Sequence, residues 1–114
     1  IFRAFGNPLN VPRIGLGQGR RIGIHHPAPD QRPRPELGPN DALIRVRAAG
    51  VNRPDIQQRR GLYPPPPGAT DLPGLDVSGV VEAVGADVAW PKVGDSVCAL
   101  ANGGGYAEFC AVPA

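Results

Sequence analysis

Two polar side chains in this sequence combine useful chemistry with a local setting able to hold them: Asn52 and Tyr63. Asn52 heads the run Asn52-Arg53-Pro54-Asp55, a helix-start pattern in which Asn is a good N-cap and Pro and Asp suit the first turn. Tyr63 precedes the tetraproline run Pro64-Pro65-Pro66-Pro67 and Gly68, which reads as a rigid loop without regular structure. A tyrosine held by such a loop beside a helix N-terminus can donate a hydrogen bond to an oxyanion as it develops. On chemistry alone, local structure is the expected role of both, one as an N-cap and the other as a loop anchor.

The remaining candidates offer less. His25 and His26 lie together in an irregular stretch with no evident carboxylate partner, so a Ser-His-Asp arrangement is not expected. Adjacent histidines and a Cys98-x11-Cys110 spacing match no zinc pattern, so no metal site is expected. Asp71 and Asp76 read as carboxylates that cap turns and hold loops, not as an acid/base pair. Gly103-Gly104-Gly105 could cradle an anion, but it lacks the Lys and Ser/Thr of a phosphate loop and reads as a hairpin turn. Gly15-x-Gly17-x-Gly19 has neither the strand, the helix nor the spacing of a dinucleotide site and reads as a loop. Cys98 and Cys110 sit in short apolar runs and are expected to be reduced core residues. With no signal peptide in view, this suggests a cytoplasmic location.

The elements that must position these residues follow from pattern. Ala42–Ala48 alternates, with Ile44, Val46 and Ala48 on one face and Arg45 and Arg47 on the other, which predicts a half-buried strand. A short helix runs from Asn52 to Arg60 and ends at Gly61. Asp76–Val84 predicts a second strand, with Gly79 marking a close approach of backbone or helix. Ser96–Leu100 and Tyr106–Val112 predict two more, after turns at Gly94-Asp95 and Asn102–Gly105. Turns at this interval point to a small sandwich or partly open barrel.

Composition supports that reading. In 114 residues, 16 Gly and 15 Pro leave no run long enough for a helical bundle, and the length favours one domain over a two-domain enzyme. No stretch approaches a membrane span, so no membrane partner is expected. The net charge of +2 is unevenly spread: residues 1–40 hold six Arg against two acids, and the rest of the chain is net acidic. With seven Pro and six Gly, residues 1–40 read as an irregular basic segment, with weak strands near 11–16 and 20–25 at most. Nucleic acid is not the expected partner, since no aromatic-basic interleaving accompanies the arginines.

From Asp41 to Ala114 the chain resembles the GroES-like catalytic domain of the medium-chain dehydrogenase/reductase superfamily, and within it the zinc-independent NADPH:quinone oxidoreductases of the p53-inducible type. The matching text is AAGVNRPD at 48–55, GLYPPPPG at 61–68, PGLDVSGVVEAVG at 73–85, VGDSV at 93–97 and GGGYAEF at 103–109. The resemblance implies a mainly β fold, a GroES-like partly open β-barrel with one short helix, over residues 41–114. Where the zinc-dependent relatives carry a ligand Cys this chain has Asn52, and where they carry Gly-His-Glu it reads Gly74-Leu75-Asp76, so the resemblance implies no metal.

It further implies hydride transfer from NADPH to a quinone or related unsaturated carbonyl acceptor in a full-length parent, for which a homodimer is allowed. Tyr63 would be catalytic, bonding the acceptor oxygen, and Asn52 would bind cofactor, with both lining the substrate site. Asp55 would hold the local turn. No Rossmann cofactor domain is read in this chain, so no cofactor is expected to bind it alone and the chain alone is expected to be inactive. The basic Pro/Gly-rich segment 1–40 departs from the family and is expected to be aberrant or disordered, with residues 9–34 or so an aberrant reading such as a frameshift; the missing start Met fits a chain incomplete at its beginning. The alternative expectation is a stand-alone GroES-like binding module that engages a protein or polyanion through its basic N-terminal arm.

Overall fold

A computed structural model of the chain describes residues 32–114. The strands expected near 11–16 and 20–25, His25, His26 and the Gly15-x-Gly17-x-Gly19 run lie outside the described residues. Five elements follow in order: β1 (Asp41–Ala49), α1 (Arg53–Arg59), β2 (Asp76–Val84), β3 (Ser96–Leu100) and β4 (Phe109–Pro113). The four strands form one antiparallel sheet in the order β3-β2-β1-β4. No ladder joins the edge strands β3 and β4 among the described residues, so the sheet is open.

Alternation places the core on one face of this sheet. Ala42 and Ile44 of β1, Val77 and Val81 of β2, Val97 and Ala99 of β3, and Cys110 and Val112 of β4 form one buried cluster. Val46, Ala49, Val84 and Ala101 pack against its margins. The β1–β2 register shifts between Leu43 and Ile44 and again between Val46 and Ala48. Gly79 faces Arg45 in this ladder so closely that a Cβ there would fall on the Arg45 carbonyl oxygen, which is the approach its position in the strand predicted. On the outer surface Arg45 donates from Nε and Nη2 to the Glu82 carboxylate at 3.1 and 2.9 Å. That pairing raises the arginine pKa and lowers the glutamate's, while its exposure keeps its contribution to stability small.

Three expectations are corrected. The last strand begins at Phe109, not at Tyr106. Tyr106 instead precedes it, its backbone N–H donating to Pro73 O at 3.0 Å and its hydroxyl bonded elsewhere, so apolar alternation does not decide its conformation. Gly103–Gly105 do not close a hairpin, because β3 and β4 lie on opposite edges. The segment crosses beneath the 70–74 loop, with Gly104 N–H on Leu72 O at 2.8 Å and Gly105 N–H on Gly74 O at 3.1 Å. Of the two free cysteines only Cys110 is in the core; Cys98 is half-buried, because it falls on the opposite face from its neighbours Val97 and Ala99. Burial pushes the Cys110 thiol up to about 11.

Residues 32–38 form no helix or strand but are tied to the sheet. Arg32 pairs with Asp71 at 2.6 Å, and the Arg34 guanidinium lies 3.9 Å from the centre of the Phe109 ring. Pro39 O accepts the Asp87 N–H at 2.9 Å, and Asn40 O accepts the Ala114 N–H at 3.0 Å.

Candidate functional site

The chain leaves β1 at Ala49 and enters α1 at Arg53, and the three residues between are held more tightly than a connecting loop requires. Asn52 takes the N-cap position with an extended backbone, and Asp55 sits at the third helical position, so that the two face each other as a capping box. The Asp55 carboxylate makes the cap, its Oδ2 accepting the Asn52 N–H at 2.8 Å. The Asn52 side chain donates from Nδ2 to Asp76 Oδ1 at 3.1 Å, drawing the end of β1 toward the start of β2. The same Asp76 oxygen accepts the Gly50 N–H at 3.0 Å. Asp76 therefore holds a loop, as its type suggested, and Asp71 does likewise through Arg32 and through its carbonyl, which accepts Gln58 Nε2 at 3.0 Å.

Asp55 does more than hold its own turn. It is only 4% exposed, and its carboxylate accepts three hydrogen bonds from three parts of the chain. Besides Asn52, Gly74 N–H donates to Oδ1 at 2.9 Å and the Tyr106 hydroxyl donates to Oδ2 at 3.1 Å. The Tyr106 hydroxyl also lies 3.2 Å from Gly50 O. One buried carboxylate thus joins the helix start, the loop before β2 and the loop before β4. Every buried side-chain nitrogen and oxygen among the described residues has a partner.

Tyr63 is placed differently. Gly61, at φ +73°, turns the chain out of α1, and Leu62 N–H closes on Gln57 O at 2.9 Å. Tyr63 then stands 40% exposed at the head of the proline loop, and no side chain among the described residues bonds its hydroxyl. Asn52 stands at the N-cap of the seven-residue helix and Tyr63 four residues beyond its last residue, past the turn at Gly61, and no hydrogen bond joins them. Val51, Ile56 and Leu62, on or beside the same helix, are exposed apolar side chains. Sequence reasoning missed the Asp55–Tyr106 link, since the two lie 51 residues apart and nothing local marks the pair. Asp76 stood out in the sequence as a loop-holding carboxylate, though not as the partner of Asn52.

Burial and the neighbouring Asp55 and Asp76 charges push the Tyr106 phenol up to about 12. An unfolded tyrosine titrates at roughly 10, so the link contributes stability that is fully present below that pH and is lost as pH rises toward about 12. The sequence has two tyrosines, so Tyr63→Phe leaves Tyr106 as the only phenol. Its 295 nm absorbance is expected to rise with a midpoint near 12 in the folded chain and near 10 in denaturant. A folded midpoint near 10 would contradict the link.

Residues 38–114 match the family described as the alcohol dehydrogenase GroES-like domain. The open sheet with one short helix is the architecture of that class, and this chain belongs to the alcohol dehydrogenase GroES-like domain family. Among curated relatives, the rat synaptic vesicle membrane protein VAT-1 homolog is 42% identical over 79 residues, covering 69% of this chain and 20% of the relative. The quinone oxidoreductase of Sus scrofa is 46% identical over 71 residues, covering 61% of this chain and 22% of the relative. Among solved structures, a quinone oxidoreductase from Pseudomonas syringae superposes with a TM-score of 0.72 at 33% identity, covering 89% of this chain and 30% of that one. The chain thus spans about a fifth of the length of these curated relatives. No helix among the described residues is long and apolar enough to cross a membrane.

Proposed function

We propose that this chain forms the acceptor-side domain of a zinc-independent, NAD(P)H-dependent quinone oxidoreductase that reduces a quinone or related unsaturated carbonyl compound. The observation that carries the reading is the environment of Asn52: at the head of α1, where zinc-dependent relatives place a thiolate, stands an amide held by Asp76. A neutral amide supplies no thiolate to a zinc ion, and no three His, Cys, Asp or Glu converge among the described residues. The likeness to quinone oxidoreductases supports the substrate class.

The described residues fit one end of the implied cofactor. Their strands pair only antiparallel, and the one strand-to-helix turn, Gly50-Val51-Asn52, lacks the glycine spacing that takes a pyrophosphate. Asn52, half-buried and fixed at its backbone and side chain, fits the carboxamide of a nicotinamide. When bound, that cofactor supplies the hydride. Tyr63 supplies what the acceptor needs as it is reduced: a hydroxyl unclaimed by any described residue, able to donate to the acceptor oxygen as negative charge gathers there. The exposed apolar side chains around α1 give a flat aromatic acceptor a surface to lie against.

We extend the reading to the chain by itself, which is expected not to oxidise NADPH in the presence of duroquinone, because the described residues offer the pyrophosphate no holder. Stopped assays at high protein concentration check this, and turnover by the isolated 114-residue chain would refute the need for a separate cofactor domain. The rival reading, capture of a polyanion by the basic N-terminal segment, finds its described arginines already engaged: Arg32 with Asp71, and Arg34 with Phe109 and Glu82.

A further inference from the structure

The hydrogen bond between Asn52 and Asp76 has a chemically forced direction. A carboxylate only accepts, so the Asn52 amide must turn its nitrogen toward Asp76, and the opposite orientation would set two oxygens against each other. Asp76 is itself fixed, because its Oδ1 also accepts the Gly50 N–H at 3.0 Å, and a Cβ at Gly50 would fall on the carboxylate. From the other side, Asp55 holds the Asn52 N–H at 2.8 Å. Backbone and side chain of Asn52 are thus set before any ligand arrives.

We propose that Asp76 is a positioning residue: its carboxylate fixes the hydrogen-bonding polarity of Asn52, and so dictates which way round the carboxamide of a nicotinamide pairs with it. The proposal rests on the reading of Asn52 as the cofactor-facing amide. Two amides pair only when donor meets acceptor, so an Asn52 free to flip would accept the carboxamide in either sense, and one held by Asp76 accepts it in one. Asp76 acts through Asn52 and does not itself touch the ligand.

The test uses the full 114-residue chain, isotope-labelled, with millimolar reduced nicotinamide mononucleotide as the probe: it carries the nicotinamide without the pyrophosphate that keeps the whole cofactor from binding this chain alone. In the wild type, a through-hydrogen-bond coupling between Asn52 Nδ2 and Asp76 Cγ is expected, and the mononucleotide is expected to shift the Asn52 side-chain amide resonances. Asp76→Ala is expected to weaken mononucleotide binding about tenfold, and Asp76→Asn, which keeps an acceptor oxygen, by less than about threefold. The wild-type coupling needs no variant, so an Asp76→Ala chain that fails to fold leaves the question answerable. Absence of the coupling, or wild-type affinity in a folded Asp76→Ala chain, overturns the positioning role. A wild type that shows the coupling yet does not respond to the mononucleotide overturns the cofactor-facing reading of Asn52, and the proposal with it.

Discussion

Replacing Asp55 by alanine is expected to destabilise the domain more than any other single side-chain change at this site, by about 3–5 kcal/mol. The carboxylate is buried and accepts from Asn52 N–H, Gly74 N–H and the Tyr106 hydroxyl at 2.8–3.1 Å. Alanine removes the acceptor and leaves two backbone N–H groups facing a void, each carrying a desolvation cost of roughly 1–3 kcal/mol. A domain of this size has a total stability of roughly 5–10 kcal/mol, so the loss is a large fraction of it.

Asp55→Asn is the sharper variant. Both carboxylate oxygens face a backbone N–H, Oδ1 that of Gly74 and Oδ2 that of Asn52. An amide has one oxygen, so either orientation points an NH2 group at a backbone donor. The asparagine variant is therefore expected to lose about 2–4 kcal/mol despite its matching shape. Urea denaturation followed by circular dichroism measures both, and a loss below about 1 kcal/mol for either would contradict the three-way role.

Gly74→Ala is expected to cost about 3 kcal/mol or more, through a different cause. Gly74 adopts φ +106°, and an added Cβ would lie 2.6 Å from both Gly105 Cα and Tyr106 N. Those are backbone atoms, which cannot swing aside as a side chain can. The two loops must separate, loosening the bonds from Gly105 N–H to Gly74 O at 3.1 Å and from Tyr106 N–H to Pro73 O at 3.0 Å. Gly61 supplies the control, because it also has positive φ, +73°, but a Cβ there meets nothing within 4 Å. Gly61→Ala is expected to cost only about 1 kcal/mol, the conformational penalty alone. Equal losses in the two variants would show that the contact with 105–106 does not matter.

What could be read from the sequence, and what could not, divides along the range of the interactions. Strands β2 and β3 lie where alternation put them, and α1 begins after Asn52 and ends before Gly61, because each boundary is set by residues a few positions apart. Gly79 was legible as a close approach because glycine weakens the interior of an apolar strand and is favoured there where another backbone passes too near for a side chain. The start of β4 was misplaced because Tyr106 fits strand alternation, while its actual partners, Gly50 and Asp55, lie 56 and 51 residues away. Cys98 was misassigned for a related reason: an apolar run does not reveal which of its residues falls on the outer face of an edge strand. Asn52 and Tyr63 could be named as candidates from their settings, but the Asp76 hold on Asn52 could not, since it exists only once β1 and β2 lie side by side.

The proposed chemistry depends most on Tyr63 acting as the hydrogen-bond donor to a reducible acceptor. The decisive measurement grafts residues 38–114 in place of the matching part of the Pseudomonas syringae quinone oxidoreductase, and compares the graft with its Tyr63→Phe form. Both proteins should melt cooperatively and bind NADPH alike. The graft should reduce duroquinone with NADPH, and Tyr63→Phe should lower kcat roughly a hundredfold, the loss typical of a missing oxyanion donor, with the KM for NADPH unchanged. A Tyr63→Phe graft whose kcat stays within about threefold of its parent would contradict the donor role of Tyr63.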